Sequence, residues 1–162
     1  MKARRSVTVC VALGGLLAFL TNCAGPSPSE EQVEALVNKA AALVERDGEK
    51  AFVEFRKKGS EWYQGEIYIF ADDMEGVNLC HPEKRDLEGK NLLETKDAMG
   101  KLFVREMIEL LRTKDAGWVE YWWPKPGETK PSHKASYVRK VKLGNNPILV
   151  GCGLYIWVKP TP

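Results

Sequence analysis

The spacing of apolar residues changes period along the chain, and this change limits the possible folds more than any other feature of the sequence. Over residues 33–55 apolar side chains recur every three to four positions, which predicts an amphipathic helix that bends near Gly48. Ser29 and Gln32 have capping-box spacing at its start, and Gly59 is a stop signal after it. Beyond that point, short runs rich in β-branched and aromatic residues are separated by turn sequences, which is typical of strands.

The remaining elements predict an α+β domain. A second helix is expected over residues 102–111, with Asp97 as its N-cap. Five segments are predicted as strands: 66–71, 77–81, 118–123, 134–142 and 148–158. This order favours a five-stranded, mostly antiparallel sheet with the long N-terminal helix on one face. The middle helix and its loops are expected to cover the other face and to leave a pocket there.

Residues 1–22 have the features of a secretory signal. Three positive charges precede an uncharged stretch over residues 7–20. Its 14 residues would form a helix of roughly 21 Å, shorter than the roughly 30 Å hydrocarbon core of a bilayer. A permanent transmembrane anchor is therefore the less favoured alternative.

The sequence Leu20-Thr21-Asn22-Cys23 resembles the lipobox of bacterial lipoproteins, although Asn22 stands where that family usually has Gly, Ala or Ser. The resemblance implies cleavage before Cys23, which would receive a diacylglycerol group and hold the protein on a membrane. Residues 23–30 would then be a lipidated tether. The expected location is the cell envelope, with the domain facing the periplasm or the exterior.

The net charge does not support nucleic-acid binding. Three of the 24 basic residues precede the apolar stretch, while all 22 acidic residues follow it. Removal of residues 1–22 leaves 21 basic and 22 acidic residues, so the remaining domain lacks the positive excess that contacts with phosphate require.

A series of short motifs follows in order along the domain. The motifs are Tyr68-Ile69-Phe70, Asp73-Met74-Glu75-Gly76, His81-Pro82, Gly89-Lys90-Asn91, Asp97-Ala98-Met99-Gly100-Lys101, Gly117-Trp118-Val119-Glu120-Tyr121, Pro124-Lys125-Pro126, Lys134-Ala135-Ser136-Tyr137 and Gly151-Cys152-Gly153-Leu154-Tyr155. This series resembles the single Cache domain, type 2, an extracytoplasmic relative of the PAS fold. The domain is placed at residues 31–158, with a tail over 159–162. The resemblance implies a PAS-like sheet and a small extracellular ligand, often a short carboxylate, between the sheet and the middle helix. Because no further helix precedes the end of the chain at Pro162, the domain is expected to signal through a partner or only to capture its ligand.

Seven residues are candidates for lining such a pocket: Lys134, Tyr137, Trp118, Tyr121, His81, Tyr68 and Tyr155. A carboxylate buried beside aromatic rings needs a cation and hydroxyl donors in place of water, and Lys134 is the first choice for the cation. Strand alternation puts Lys134 and Ser136 on one face and Tyr137 on the other, unless a bulge intervenes. The alternatives are a solvated edge position for Lys134, plain core packing for Trp118, Tyr121 and Trp123, and a bond to the Pro82 turn for His81.

Other chemistry is not indicated by the sequence. The PAS-like strand order implied by the resemblance keeps Cys80 and Cys152 two strand spacings apart, so free, buried thiols are expected. The segment from Asp97 to Lys101 is interpreted as a helix start and not as a metal loop, and no cofactor is predicted. No nucleophile or metalloprotease motif occurs, which argues against an enzyme. The main alternative to a ligand-binding module is a structural or interaction lipoprotein that binds an envelope partner and has no ligand.

Overall fold

The computed structural model describes residues 28–156. In chain order its elements are α1 (Glu30–Asp47), α2 (Lys50–Phe55), β1 (Tyr63–Gln64), β2 (Ile67–Asp73), β3 (Asn78–Cys80), a short 3₁₀ helix (Arg85–Leu87), α3 (Phe103–Thr113), β4 (Ala116–Pro124), β5 (Pro131–Leu143) and β6 (Asn146–Tyr155). The signal peptide predicted for 1–22, the lipidation site at Cys23 and the tail at 159–162 lie outside the described residues. Among residues 28–156, no helix combines the length and hydropathy needed to span a membrane.

The predicted N-terminal helix is confirmed, together with its cap and its bend. The backbone nitrogen of Ser29 donates to the side-chain oxygen of Gln32 over 2.8 Å, and the backbone nitrogen of Gln32 donates to the Ser29 hydroxyl over 3.3 Å. Gly48 ends α1 with a φ of 62°, a conformation that favours glycine, and the chain turns there into α2. The bend lets the apolar stripes of both helices pack against the same face of the sheet.

The sheet has the order β1-β2-β6-β5-β4, with β3 also paired to β2, and every pairing is antiparallel. The five predicted strands are present, and β1 is an additional strand of two residues, too short for an alternating pattern to show in the sequence. Because β2 lies between β3 and β6, Cys80 pairs with Ala71 and Cys152 with Ile69 in the register. Both cysteines are free and buried, as predicted.

The two faces of the sheet carry separate apolar clusters. The helical-pair cluster joins α1 and α2 to one face and includes Val37, Phe55 and Ile69. The second cluster joins α3 and the loop before it to the opposite face and includes Met107 and Leu149. The predicted arrangement, with a helix on each side of a PAS-like sheet, is therefore confirmed.

Asp97 does not cap α3, which corrects the prediction for this residue. The helix begins six residues later, at Phe103, and its N-cap residue Leu102 makes no side-chain capping bond. One Asp97 oxygen accepts from the backbone nitrogens of Met99 and Lys101, and the other accepts from the backbone nitrogen of Trp122. The carboxylate is thus used to close a turn within the loop and to tie that loop to β4.

Candidate functional site

Strand alternation defines the face on which the site lies. Along β2, Tyr68, Phe70 and Asp72 share the α3 face of the sheet, while Ile69 and Ala71 pack against the helical pair. On β5, Lys134 lies on the α3 face, opposite Tyr121 of β4 and Tyr155 of β6 in the register.

Lys134 is fully buried, with 0% of its surface exposed. Its ammonium nitrogen donates to the Tyr68 hydroxyl over 2.7 Å and lies 3.9 Å from the centroid of the Tyr68 ring and 5.1 Å from that of Tyr155. Within residues 28–156, no carboxylate oxygen lies within the 4.0 Å that defines an ion pair with this nitrogen. Burial lowers the pKa of Lys134 to about 7. In the part of the chain that the structure describes, aromatic rings therefore surround the Lys134 amine, and no carboxylate pairs with it.

Two glycines of β6 make room for these side chains. A Cβ atom on Gly153 would lie 2.6 Å from Cε of Lys134 and 2.3 Å from the Ser136 hydroxyl oxygen. A Cβ atom on Gly151 would lie 2.6 Å from the edge of the Phe70 ring. Both contacts are shorter than van der Waals packing allows, so the buried positions of Lys134 and Phe70 depend on glycine at these two positions.

His81 provides a neutral donor beside the lysine. Its Nδ1 accepts from the backbone nitrogen of Lys84 over 3.0 Å, so the ring hydrogen resides on Nε2. Burial, together with the positive charges of Lys134 and Lys84, lowers the pKa of His81 to about 3. The ring centroid lies 5.2 Å from that of Tyr68 and 6.1 Å from that of Trp123. The expected bond from His81 to the turn after it is thus present, and the imidazole also takes part in the aromatic cluster.

Tyr121 and Tyr155 complete the polar edge of this cluster. The Tyr121 ring stacks on Phe103 of α3 with centroids 4.5 Å apart, and its hydroxyl lies 3.0 Å from the Ser136 hydroxyl. The Tyr155 hydroxyl donates to the backbone oxygen of Pro124 over 2.7 Å. Burial raises the pKa of both phenols above the ordinary value, so both stay protonated at neutral pH.

A cavity of about 20 Å³ lies between the sheet and α3, large enough for one water molecule. Of the seven predicted residues, His81 and Tyr121 line it. Lys134, Tyr68 and Tyr155 form a cluster next to it, in contact with the lining through His81 and Phe70.

Trp118 and Tyr137 lie on the opposite face of the sheet from Lys134. The Trp118 indole nitrogen donates to Glu34 of α1 over 2.9 Å, and its ring lies 5.4 Å from that of Tyr137. The register between β5 and β6 runs without a bulge from Lys134 to Tyr137, so alternation separates these two residues. Both pack against the helical-pair cluster, which for Trp118 agrees with the core-packing alternative.

The family model dCache_2, described as a Cache domain, matches residues 30–156. The chain belongs to the Cache domain family. This Cache domain is 33% identical over 94 residues to the methyl-accepting chemotaxis protein McpP of Pseudomonas putida and 31% identical over 94 residues to the sensor histidine kinase MctS of Rhizobium johnstonii. Each match covers 58% of the chain but only 17% and 20%, respectively, of those two proteins, so the chain spans about a fifth of the length of the curated relatives it matches.

Solved structures agree with the family assignment. The Cache domain superposes on a periplasmic sensor domain of a chemotaxis protein with a TM-score of 0.62 and 29% identity, covering 78% of this chain and 90% of that one. It superposes on a Cache chemosensory domain solved to explain carboxylic acid recognition with a TM-score of 0.68 and 28% identity, covering 78% of this chain and 92% of that one. The named relatives are thus a chemotaxis receptor, a sensor histidine kinase and two sensor domains.

The sequence prediction missed two polar residues of the site in this Cache domain. Asp72 and Asn78 line the cavity and are only 2% and 1% exposed. Asn78 donates to one Asp72 oxygen over 2.8 Å, and burial raises the pKa of Asp72 to about 7. The signal that could have found Asp72 is the alternation Tyr68, Phe70, Asp72, which puts a carboxylate on the same face as two aromatic rings.

Proposed function

We propose that this Cache domain binds a short carboxylate outside the cytoplasm, with Lys134, Tyr68 and His81 holding the carboxylate group. The observation that carries the proposal is the fully buried Lys134 ammonium, which has no carboxylate partner among the described residues. Burying an unpaired charge is unfavourable by several kcal/mol, so such a group is retained where a ligand of opposite charge restores the balance. The likeness to a Cache domain that recognises carboxylic acids supports this ligand class.

The hydrogen-bonding capacity of the cluster matches a carboxylate. The Tyr68 hydroxyl accepts from Lys134 and also carries a hydrogen that it can donate. His81 has its hydrogen on Nε2 because Nδ1 is already occupied by a backbone donor. The Lys134 ammonium, the Tyr68 hydroxyl and the His81 Nε2–H are three donor groups, two of them N–H and one O–H, for the two oxygens of one carboxylate. Tyr121 and Tyr155 contribute protonated hydroxyls and ring surface at the edge of the same cluster.

Ligand entry requires a change in the cavity. Lys134 does not line the cavity, so a ligand inside it cannot contact the ammonium group without movement of the side chains between them. The side chains between the cavity and Lys134 are those of His81 and Phe70, and the loop that follows His81 packs Lys84 over Trp123 with 4.5 Å between the ammonium nitrogen and the ring centroid. We propose that this loop moves outward as the carboxylate enters and closes again over it.

Isothermal titration calorimetry of the full chain in a mild detergent tests the proposal, with acetate, propionate and butyrate as ligands. Saturable binding to the wild type is expected, and Lys134→Met should raise the dissociation constant by at least about tenfold because a charge-assisted hydrogen bond is lost. Lys130→Met is the matched control, since Lys130 is exposed in the loop before β5. Equal binding by both variants would refute the assignment of Lys134.

The small cavity favours a second candidate function, an envelope lipoprotein that binds a partner and takes no ligand. The two candidates differ in the calorimetric result. A lack of heat and of thermal stabilisation across all three acids would favour the second candidate.

We also propose that Cys23 carries a lipid that anchors the domain, and that the domain signals through a partner or captures its ligand. The lipobox-like sequence that ends at Cys23 supports the anchor. The described domain begins close behind it, because α1 starts at Glu30, seven residues after Cys23. Metabolic labelling with an alkyne fatty acid should mark the full chain and should be lost in Cys23→Ser. Cys10→Ser, within the apolar stretch, is the control; a label that survives in Cys23→Ser would refute the anchor.

A further inference from the structure

The cavity has a second polar end, which the binding of a simple carboxylate leaves unused. Asp72 on β2 and Asn78 on β3 lie side by side in its wall, and both are at least 98% buried. Asn78 uses its amide nitrogen to donate to Asp72 over 2.8 Å and to the backbone oxygen of Ala71 over 3.3 Å. Its side-chain oxygen has no hydrogen-bond partner among residues 28–156.

A structural role explains the hydrogen bond from the Asn78 amide nitrogen to Asp72, but not the unsatisfied Asn78 oxygen or the buried charge of Asp72. The neighbours of this pair across the cavity are apolar side chains of α3 and the preceding loop, including Val104, Met107 and Leu92. In such surroundings an unsatisfied oxygen is unfavourable, and an unpaired carboxylate more so. No Lys, Arg or His nitrogen in the described part of the chain lies within 4.0 Å of the Asp72 carboxylate. Within the described residues, the Asn78 side-chain oxygen therefore lacks a donor, and the Asp72 carboxylate, whose one partner is the Asn78 amide, lacks a cation.

The two ends of the site differ in sign. The end near Lys134 presents hydrogen-bond donors and a positive charge, whereas the end at Asp72 and Asn78 presents acceptors and a carboxylate. Asn78 lies on β3, His81 follows the end of that strand, and both line the cavity, so one ligand in the cavity can contact both. A ligand that satisfies both ends has its carboxylate and its donor on opposite ends of a short chain.

We propose that the ligand is a short carboxylate whose far end carries a hydrogen-bond donor, a hydroxyl or an ammonium group, that binds Asp72 and Asn78. This inference rests on the proposed function, because it extends the same site. Lys134 and His81 hold the carboxylate, and the carbon chain lies against Phe103 and Met107. An ammonium group would bind Asp72 as an ion pair, and a hydroxyl would donate to the free oxygen of Asn78.

The test compares acids of equal length that differ only at the far end, by calorimetry on the full chain. The probes are butyrate, 4-hydroxybutyrate and 4-aminobutyrate, with propionate, 3-hydroxypropionate and 3-aminopropionate as the shorter set. We expect at least one donor-bearing acid to bind about tenfold more tightly than the alkyl acid of its length. This comparison needs no variant, so it does not depend on whether a substitution folds.

Variants then assign the effect to the two residues. Asp72→Asn keeps the shape of the side chain and should lower both the affinity for the ammonium-bearing acid and its advantage over the alkyl acid at least about fivefold. Glu75→Gln removes the same charge three residues away at an exposed position and should change neither. Asn78→Ser should reduce the advantage of the hydroxyl-bearing acid.

The outcomes separate this inference from the proposed function. If alkyl acids bind and no donor-bearing acid binds more tightly, the inference is overturned and the carboxylate function stands. If no acid of either set binds, both are overturned. If a donor improves binding equally in the wild type, Asp72→Asn and Asn78→Ser, the assignment to Asp72 and Asn78 is overturned.

Discussion

Replacing Lys134 with methionine separates the energetic penalty of burying the ammonium group from its use in binding. The fall in its pKa from 10.5 to about 7 corresponds to a penalty of about 5 kcal/mol for the charged form. Methionine fills a similar volume without a charge. It also loses the hydrogen bond to Tyr68, worth about 1 kcal/mol, and the cation–π contacts with Tyr68 and Tyr155, worth about 2 kcal/mol together. Lys134→Met should therefore stabilise the ligand-free protein by about 2 kcal/mol at pH 6.

The pH dependence gives this prediction a definite sign. Between pH 7 and 10.5 the unfolded chain keeps a proton on Lys134 that the folded protein has released, so the free energy of unfolding of the wild type rises with pH. Below pH 7 both states hold the proton and the whole penalty is present. The advantage of Lys134→Met should accordingly be largest below pH 7 and disappear by about pH 10, where the variant has only lost contacts.

Urea unfolding at pH 6, 8 and 10, followed by tryptophan fluorescence in the absence of ligand, measures this difference. The comparison at each pH cancels titration of the other groups, and Lys130→Met controls for the loss of one positive charge from the surface. A Lys134→Met protein that is less stable than the wild type at pH 6, or a difference that does not change with pH, would refute the reasoning.

Three further predictions concern the cavity and the thiols. In urea titrations, Asp72→Asn should raise the free energy of unfolding by about 4 kcal/mol above pH 7 and by little near pH 4. Burial raises the pKa of Asp72 from 3.8 to about 7, so ionisation of Asp72 destabilises the fold as the pH rises through that window. No gain in stability at pH 8 would contradict this prediction. Gly153→Ala should destabilise the protein by about 1–3 kcal/mol and weaken carboxylate binding, measured by unfolding and calorimetry, since its Cβ would displace Lys134; unchanged binding would contradict it. Cys80 and Cys152 should resist iodoacetamide at pH 8 and react only when the protein unfolds, because burial raises their pKa values to about 12 and about 11. Mass spectrometry would show the labelling, and rapid labelling of the native protein would contradict the prediction.

Local patterns predicted the fold well because they coincide with the tertiary structure. The capping box at Ser29 and Gln32 forms as its spacing indicates, and the helical stripe packs on the sheet as its period requires. The alternation on β5 predicts the separation of Lys134 from Tyr137, since no bulge interrupts the register. Asp97 shows the limit of such patterns: Asp before a helical stripe fits an N-cap, but the carboxylate binds backbone nitrogens of its own loop and of β4.

The candidate site could be predicted only in part, because its residues come together through long-range pairing. Lys134 and Tyr68 are 66 positions apart, and only the strand order β2-β6-β5 brings them into contact across the glycines of β6. Asp72 was missed because the predicted strand ends at Ala71 and the turn motif begins at Asp73, so Asp72 was assigned to neither. Asn78 lies on a strand of three residues, where alternation gives almost no information.

Lys134 and Asp72 lie in the same layer of the fold but do not form an ion pair. Because Lys134 is destabilising when protonated and Asp72 when ionised, the two penalties overlap most around pH 7, where each group is close to its pKa. A direct pair would remove both, but on β2 Phe70 separates Asp72 from Tyr68, the residue that Lys134 contacts, and the Phe70 ring needs the space that Gly151 leaves. A ligand with a carboxylate at one end and a donor at the other removes both penalties together. In thermal melts at equal occupancy, such a ligand should consequently stabilise the protein more than an alkyl acid does, and the difference should be largest at neutral pH. Equal stabilisation by the two acids at pH 7 would show that only the Lys134 end is used.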